Sequence, residues 1–119
     1  MKRKELSLIF PIYNEEKTIK KTLLEWKRLL DKLLINYEII IAEDGSTDKT
    51  RKILEKLIKR YKNKFVSNIQ NKRRGYAGAI RSSIKIARGK YILHVDSDGQ
   101  CDPKDFIKFW NKRILLSNS

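Results

Sequence analysis

Four short apolar runs alternate with four stretches of helical periodicity, and that order leaves few folds open. Residues 6–11 (LSLIFP), 37–42 (YEIIIA), 65–70 (FVSNIQ) and 91–95 (YILHV) are rich in β-branched and aromatic residues. Each run is too short for a stable helix and reads as a strand, FVSNIQ being the weakest. After the first, Ile19, Leu23, Trp26, Leu30 and Leu33 recur at three- and four-residue steps, which predicts a helix beginning at Glu15 behind an Asn14 cap. A second helix is predicted over residues 48–61, with Ile53, Leu57 and Ile58 inward. A third is predicted over 76–88, closed by Gly89 at the C′ position, and a fourth from Pro103, capped by Asp102, to about residue 116. Strand followed by helix, four times over, implies an α/β three-layer sandwich. The sheet is then mostly parallel, Rossmann-like, with right-handed crossovers and helices on both faces.

Such sheets bind ligands in the crevice beyond the carboxyl ends of their strands, where the strand order reverses. Three polar clusters fall at those ends here: Pro11, Tyr13, Asn14 and Glu15; Glu43 and Asp44; and Asp96, Ser97 and Asp98. Complementation of helix dipoles accounts for Glu15, Glu16, Asp48, Asp102 and Asp105. It does not account for Glu43, Asp44, Asp96 and Asp98, which close strands. In extended backbone residues i and i+2 point the same way, so Asp96 and Asp98 aim two carboxylates at one spot. Two hard oxygen ligands, with positions left for water and phosphate oxygens, suit Mg²⁺ or Mn²⁺.

The chain of 119 residues is long enough for one domain, residues 1–119, and one modest core. Its single cysteine, Cys101, excludes an internal disulfide and any cysteine-based zinc site and fits a reducing, cytoplasmic setting. No run approaches the roughly 18 apolar residues of a membrane span, and the basic start followed by LSLIFP lacks a cleavage site, so a soluble protein is expected. The net charge is +14. The lysines and arginines are spread over every helix without aromatic signatures of RNA reading, which favours solvated faces over nucleic-acid binding. Attraction to anionic lipid or to a diphosphate follows as a by-product.

Other chemistries find little support. There is no GxxxxGK[ST], and no GxGxxG follows the first strand. Gly75 and Gly78, in GYAGA, open a helix either for phosphate approach or for close packing. His94 is the only histidine; inside an apolar strand it reads as a core or supporting residue, which leaves histidine-assisted nucleophilic catalysis without a base.

Taken together, FPIYNEE after the first strand, EDGSTDKT after the second and GKYILHVDSDGQCDP ending in a DxD signature resemble family-2 glycosyltransferases of the GT-A fold. The segment NKRRGYAGAIRSSIKIARGKY is similar to the family's segment before that signature, and DSDGQ followed by DP looks most like the polyprenyl-phosphate branch, including dolichyl-phosphate mannosyltransferase-like enzymes. The resemblance implies that Pro11, Tyr13 and Glu15 line a nucleotide pocket and that Asp44 accepts hydrogen bonds from the base. It implies that Asp96 and Asp98 hold the metal and, through it, the diphosphate of a UDP- or GDP-sugar. Arg73, Arg74 or Arg81 adds positive charge there, with nothing in the sequence to choose among them. The implied reaction is inverting transfer of a hexose to a polyprenyl phosphate or a glycan, with peripheral attachment to the inner face of the membrane.

The family's catalytic domains are much longer. The expectation is therefore a nucleotide-diphospho-sugar transferase domain incomplete at its C-terminus, the donor-binding half, without a general base of its own. The alternative is a non-catalytic nucleotide-binding or partner-dependent piece. An exposed sheet edge would then pair with another chain or a second copy.

Overall fold

A computed structural model describes residues 3–96 and 102–117, with side chains to residue 112. Its elements are β1 (Leu6–Ile12), α1 (Ile19–Lys32), β2 (Tyr37–Glu43), α2 (Thr50–Arg60), β3 (Phe65–Ser67), α3 (Tyr76–Ile86), β4 (Tyr91–His94) and α4 (Pro103–Ser117). All four strands run parallel, in the order β3-β2-β1-β4. The order moves outward from β1 to β3 and then returns to the other side of β1, so the reversal lies between β1 and β4.

Every residue of β2, and all of β1 except half-buried Pro11, is buried, as expected of central parallel strands covered on both faces. One face carries Leu6, Leu8, Phe10 and Ile12 of β1 with Tyr37, Ile39 and Ile41 of β2, under α1, α2 and α4. Trp26 of α1 joins these layers, edge-on to Phe10 (centroids 6.0 Å apart) and to Phe106 of α4 (5.5 Å). Trp110 then stacks on Phe106 and meets Tyr91 edge-on. The opposite face is thinner, with Ile9, Ile40 and Ala42 packed against Ala79 of α3.

Under α3 the sheet also buries polar groups. Glu38, 1% exposed, accepts hydrogen bonds from the Ser7 hydroxyl (2.6 Å) and the Arg88 amide (2.7 Å), and Ser7 Oγ in turn accepts from the Gly89 amide (2.7 Å). Gly89 is not the helix terminator the sequence suggested. The third helix ends at Ile86, Ala87 is already extended (ψ 135°), and Gly89 lies against β1. A Cβ there would sit 2.4 Å from the Ser7 nitrogen.

Two other local expectations shift. The first helix begins at Ile19 rather than Glu15, because Asn14 takes a left-handed φ of 49° and spends its side chain on a distant loop. His94 is exposed, not core: β4 has no neighbour on its outer side among the described strands, and α3 leaves the Ile92 and His94 side of it open.

The first helix ends in a Schellman motif. The Ile35 amide donates to Leu30 O (3.3 Å) and the Leu34 amide to Asp31 O (3.1 Å), with Leu30 and Ile35 both buried. The C′ position is Leu34, at φ 58° and 89% exposed. A left-handed backbone costs a branched residue about 1–2 kcal/mol, partly offset by the larger unfolded-state entropy of glycine. Leu34→Gly is therefore expected to stabilise the chain by about 0.5–1 kcal/mol. A thermal melt checks this: a midpoint at or below wild type contradicts it.

Candidate functional site

The loops after β1 and β2 are tied together by side chains. Asn14 Oδ1 accepts from the Thr47 amide (2.8 Å), its Nδ2 donates to Thr47 Oγ1 (3.2 Å), and its own amide donates to Ser46 Oγ (2.9 Å). The Glu15 amide donates to Thr50 Oγ1 (2.8 Å), and Glu16 Oε2 accepts from the Lys49 amide (3.2 Å). Asp48 Oδ1 accepts from the Thr50 amide (2.9 Å). Burial works against the charge on Asp48, but this bond and one from the Thr50 hydroxyl outweigh it and hold its carboxyl below the usual range. Glu43, a strand-end acid the helix dipoles left unexplained, is fully buried and accepts from the Ser46 amide. It shapes the loop and does not line the cleft.

Beyond the carboxyl ends of β1, β2 and β4 lies a cleft of about 210 Å³, lined by Pro11, Ile12, Tyr13, Glu15, Asp44, Arg73, Tyr76, Ala79 and Asp96. The parallel register that pairs Ile9 with His94 sets Asp96 level with Pro11. Five expected residues, Pro11, Tyr13, Glu15, Asp44 and Asp96, thus meet in one place, at the reversal of strand order. Asp98, Ser97 and Cys101 lie outside the described residues.

Asp44 is only 4% exposed, and its carboxylate anchors the basic loop. Oδ1 accepts from the Arg74 amide (2.6 Å) and Oδ2 from the Gly75 amide (3.1 Å). Gly75, at φ 81° and ψ 163°, holds a conformation that side-chain-bearing residues rarely reach, and this turn delivers α3 to the cleft. The three arginines now separate. Arg74 is spent internally: its guanidinium donates to the Ser82 hydroxyl, to Asn68 and to the Glu43 carbonyl. Arg81 is exposed on α3 and does not line the cleft. Arg73 does line it: its guanidinium carbon is 4.0 Å from the centroid of the Tyr13 ring, and its Nε is 3.6 Å from Asp44 Oδ2.

At the other side of the cleft, Asp96 Oδ1 accepts a 2.6 Å hydrogen bond from the Tyr76 hydroxyl, which is also 3.2 Å from His94 Nδ1. Sequence reasoning weighed Gly75 and Gly78 in GYAGA and passed over Tyr76. The available signal was its place at the first turn of α3, directly after a glycine that aims the helix at the strand ends.

The carboxylate of Asp96 is a hard oxygen donor of the kind a divalent cation takes. Asp96 brings one carboxylate to the mouth of the cleft with Oδ2 unused by its one hydrogen bond, and no group of three ligating side chains occurs among the described residues.

The family model for glycosyl transferase family 2 matches residues 7–112. A dolichyl-phosphate beta-glucosyltransferase of Dictyostelium discoideum is 37% identical over 107 residues, covering 85% of this chain and 33% of that protein. Among solved structures, a mannosyltransferase of Pyrobaculum calidifontis in complex with GDP-Man and Mn²⁺ superposes with a TM-score of 0.68 at 24% identity, over 82% of this chain and 28% of that one. TarS of S. aureus in complex with UDP-GlcNAc gives a TM-score of 0.68 at 27% identity, over 91% of this chain and 31% of that one. The chain spans about a third of the length of the curated relatives it matches. The parallel sheet with its strand-end cleft agrees with the GT-A architecture that the motifs implied. The match takes in all of the sheet but Leu6, together with every cleft-lining residue, and on that extent the chain belongs to glycosyl transferase family 2.

Proposed function

We propose that this chain forms the donor-binding part of a metal-dependent transferase that moves a hexose, with inversion, from a UDP- or GDP-sugar to a polyprenyl phosphate at the cytoplasmic face of a membrane. The observation that carries this reading is the convergence of Pro11, Tyr13, Glu15, Asp44, Arg73 and Asp96 on one cleft at the reversal of strand order. The acceptor class comes from the relatives, named for dolichyl phosphate. The donor class comes from the superposed complexes with GDP-Man and UDP-GlcNAc.

Four of these residues then have tasks their chemistry suits. Tyr13 offers a ring face for a nucleobase. Asp44, whose carboxylate has lone pairs beyond the two taken by Arg74 and Gly75, accepts an imide or amidine N–H of uracil or guanine. Arg73, held over Tyr13 by ring contact, swings its exposed guanidinium onto the diphosphate. Asp96, with Asp98 expected beside it, would hold Mg²⁺ or Mn²⁺, which offsets the charge on the departing diphosphate as a Lewis acid. An acceptor phosphate oxygen bonds to the anomeric carbon as the bond to the diphosphate oxygen breaks, and the electron pair leaves on the nucleoside diphosphate. Because a phosphate acceptor arrives already ionised, this step requires no proton removal by the chain.

Calorimetric titration of UDP and GDP, with and without Mn²⁺, tests the reading. Wild type is expected to bind one of the two at least tenfold more tightly with Mn²⁺, and Asp96→Asn to lose that gain. Equal gains in both proteins refute the metal role of Asp96.

A further inference from the structure

Among the described residues Asp96 has a single hydrogen-bond partner, the Tyr76 hydroxyl at 2.6 Å. An aspartate at a strand end has two free torsions, so something must choose which way its carboxylate faces. The hydroxyl has one proton and directs it to the stronger acceptor, the carboxylate, in a short charge-assisted bond. His94 Nδ1 lies 3.2 Å from the same oxygen, where an Nδ1–H tautomer would donate to the hydroxyl's lone pair. The two rings meet edge to face, centroids 6.2 Å apart at 82°, so the Tyr76 ring is held as well as its hydroxyl. His94 and Asp96 lie two residues apart on the same side of β4, within reach of one tyrosine.

Tyr76 also follows Gly75, whose amide Asp44 holds at 3.1 Å. The dipeptide Gly75-Tyr76 thus runs from the carboxylate closing β2 to the carboxylate beyond β4, passing over the central strand β1. Resting on the function proposed above, we infer that Tyr76, steadied by His94, is a positioning residue that takes Asp96 Oδ1 and turns Oδ2 toward the cation and diphosphate. This role makes the opening of α3 a strap between the base end and the metal end of the cleft.

The test uses the full 119-residue chain, with Mn²⁺ followed by electron paramagnetic resonance and UDP or GDP by calorimetry. Tyr76→Phe keeps the ring and removes the hydroxyl. Its Mn²⁺ affinity is expected to fall about tenfold, the low end of the cost of losing an outer partner of a metal ligand, and by clearly more than its metal-free nucleotide affinity, with the melting midpoint at the wild-type value. His94→Ala, which leaves the hydroxyl in place, is expected to fall between wild type and Tyr76→Phe. Asp96→Asn separates the two levels of the claim. If Asp96→Asn binds Mn²⁺ like wild type, the functional reading fails. If Asp96→Asn loses Mn²⁺ and Tyr76→Phe does not, the reading stands and the positioning role is overturned. A loss of metal-free nucleotide binding in Tyr76→Phe equal to its loss of Mn²⁺ overturns it too, because the tyrosine would then serve the pocket as a whole.

Discussion

Asp44→Ala is expected to lower the melting midpoint by roughly 12 °C, from a loss of about 3 kcal/mol at about 4 °C per kcal/mol for a chain of this size. The residue is 4% exposed and its carboxylate accepts two backbone N–H groups, from Arg74 and Gly75, that no helix or sheet ladder satisfies. Truncation leaves both donors facing a cavity and releases the neighbouring guanidinium of Arg74, whose Nε sits 3.7 Å from Oδ1. The pair with Arg73 adds little to stability, since Arg73 is 59% exposed and screened by water. Asp44→Asn divides shape from charge. It fills the same space but turns an amide N–H toward one of two donors, so it is expected to recover less than half of the lost stability. Nucleotide affinity is expected to fall more than tenfold in both variants, since the acceptor for the base and the anchor of the loop bearing Arg73 are the same two oxygens. An Asp44→Asn protein that melts with wild type would remove the anchoring role.

Gly89→Ala is expected to be as damaging, for steric reasons. The added Cβ would stand 2.4 Å from the Ser7 nitrogen, 2.6 Å from the Leu6 carbonyl carbon and 2.7 Å from Ser7 Oγ. Two of those atoms are backbone of the central strand β1, which is paired on both sides and cannot withdraw. The loop must move instead, breaking the hydrogen bonds from Gly89 to Ser7 and from Arg88 to Glu38 and leaving the Glu38 carboxylate short of donors at 1% exposure. Overpacking and a disrupted buried polar network together are expected to cost about 3 kcal/mol or more, against a total of roughly 5–15 kcal/mol for a domain. Urea unfolding measures it; a midpoint within experimental error of wild type would show that β4 can shift relative to β1. Ser7→Ala is the milder companion, deleting one hydroxyl without a clash.

The elements were legible because their signals are local. Apolar runs of strand length and stripes at helical spacing located all eight elements, and the strand-end placement of Asp44 and Asp96 followed from alternation alone. Two of the boundaries that moved did so where one residue had two possible uses. Asn14 has the chemistry of an N-cap for the helix that follows, yet Ser46 and Thr47, more than thirty residues away, offered it a richer set of bonds. Gly89 has the position of a helix terminator, yet its missing side chain serves the close passage of the loop beneath Ser7.

Within the cleft, order along the chain was enough to place the clusters around Pro11, Tyr13, Glu15, Asp44 and Asp96 at or just beyond strand ends, which share a side in a parallel sheet; the family resemblance singled out these five within the clusters. Choosing Arg73 over Arg74 and Arg81, finding Tyr76, and moving His94 from core to surface all required knowing what lies across the sheet. Neighbouring arginines on a loop are equivalent until Asn68, Ser82 and the Glu43 carbonyl capture one of them. A histidine in an apolar strand is buried or exposed according to whether another element covers that side of the strand. Periodicity is a property of adjacent residues and can be read along the chain; competition for a distant donor, or for cover by a distant helix, is resolved when the layers pack.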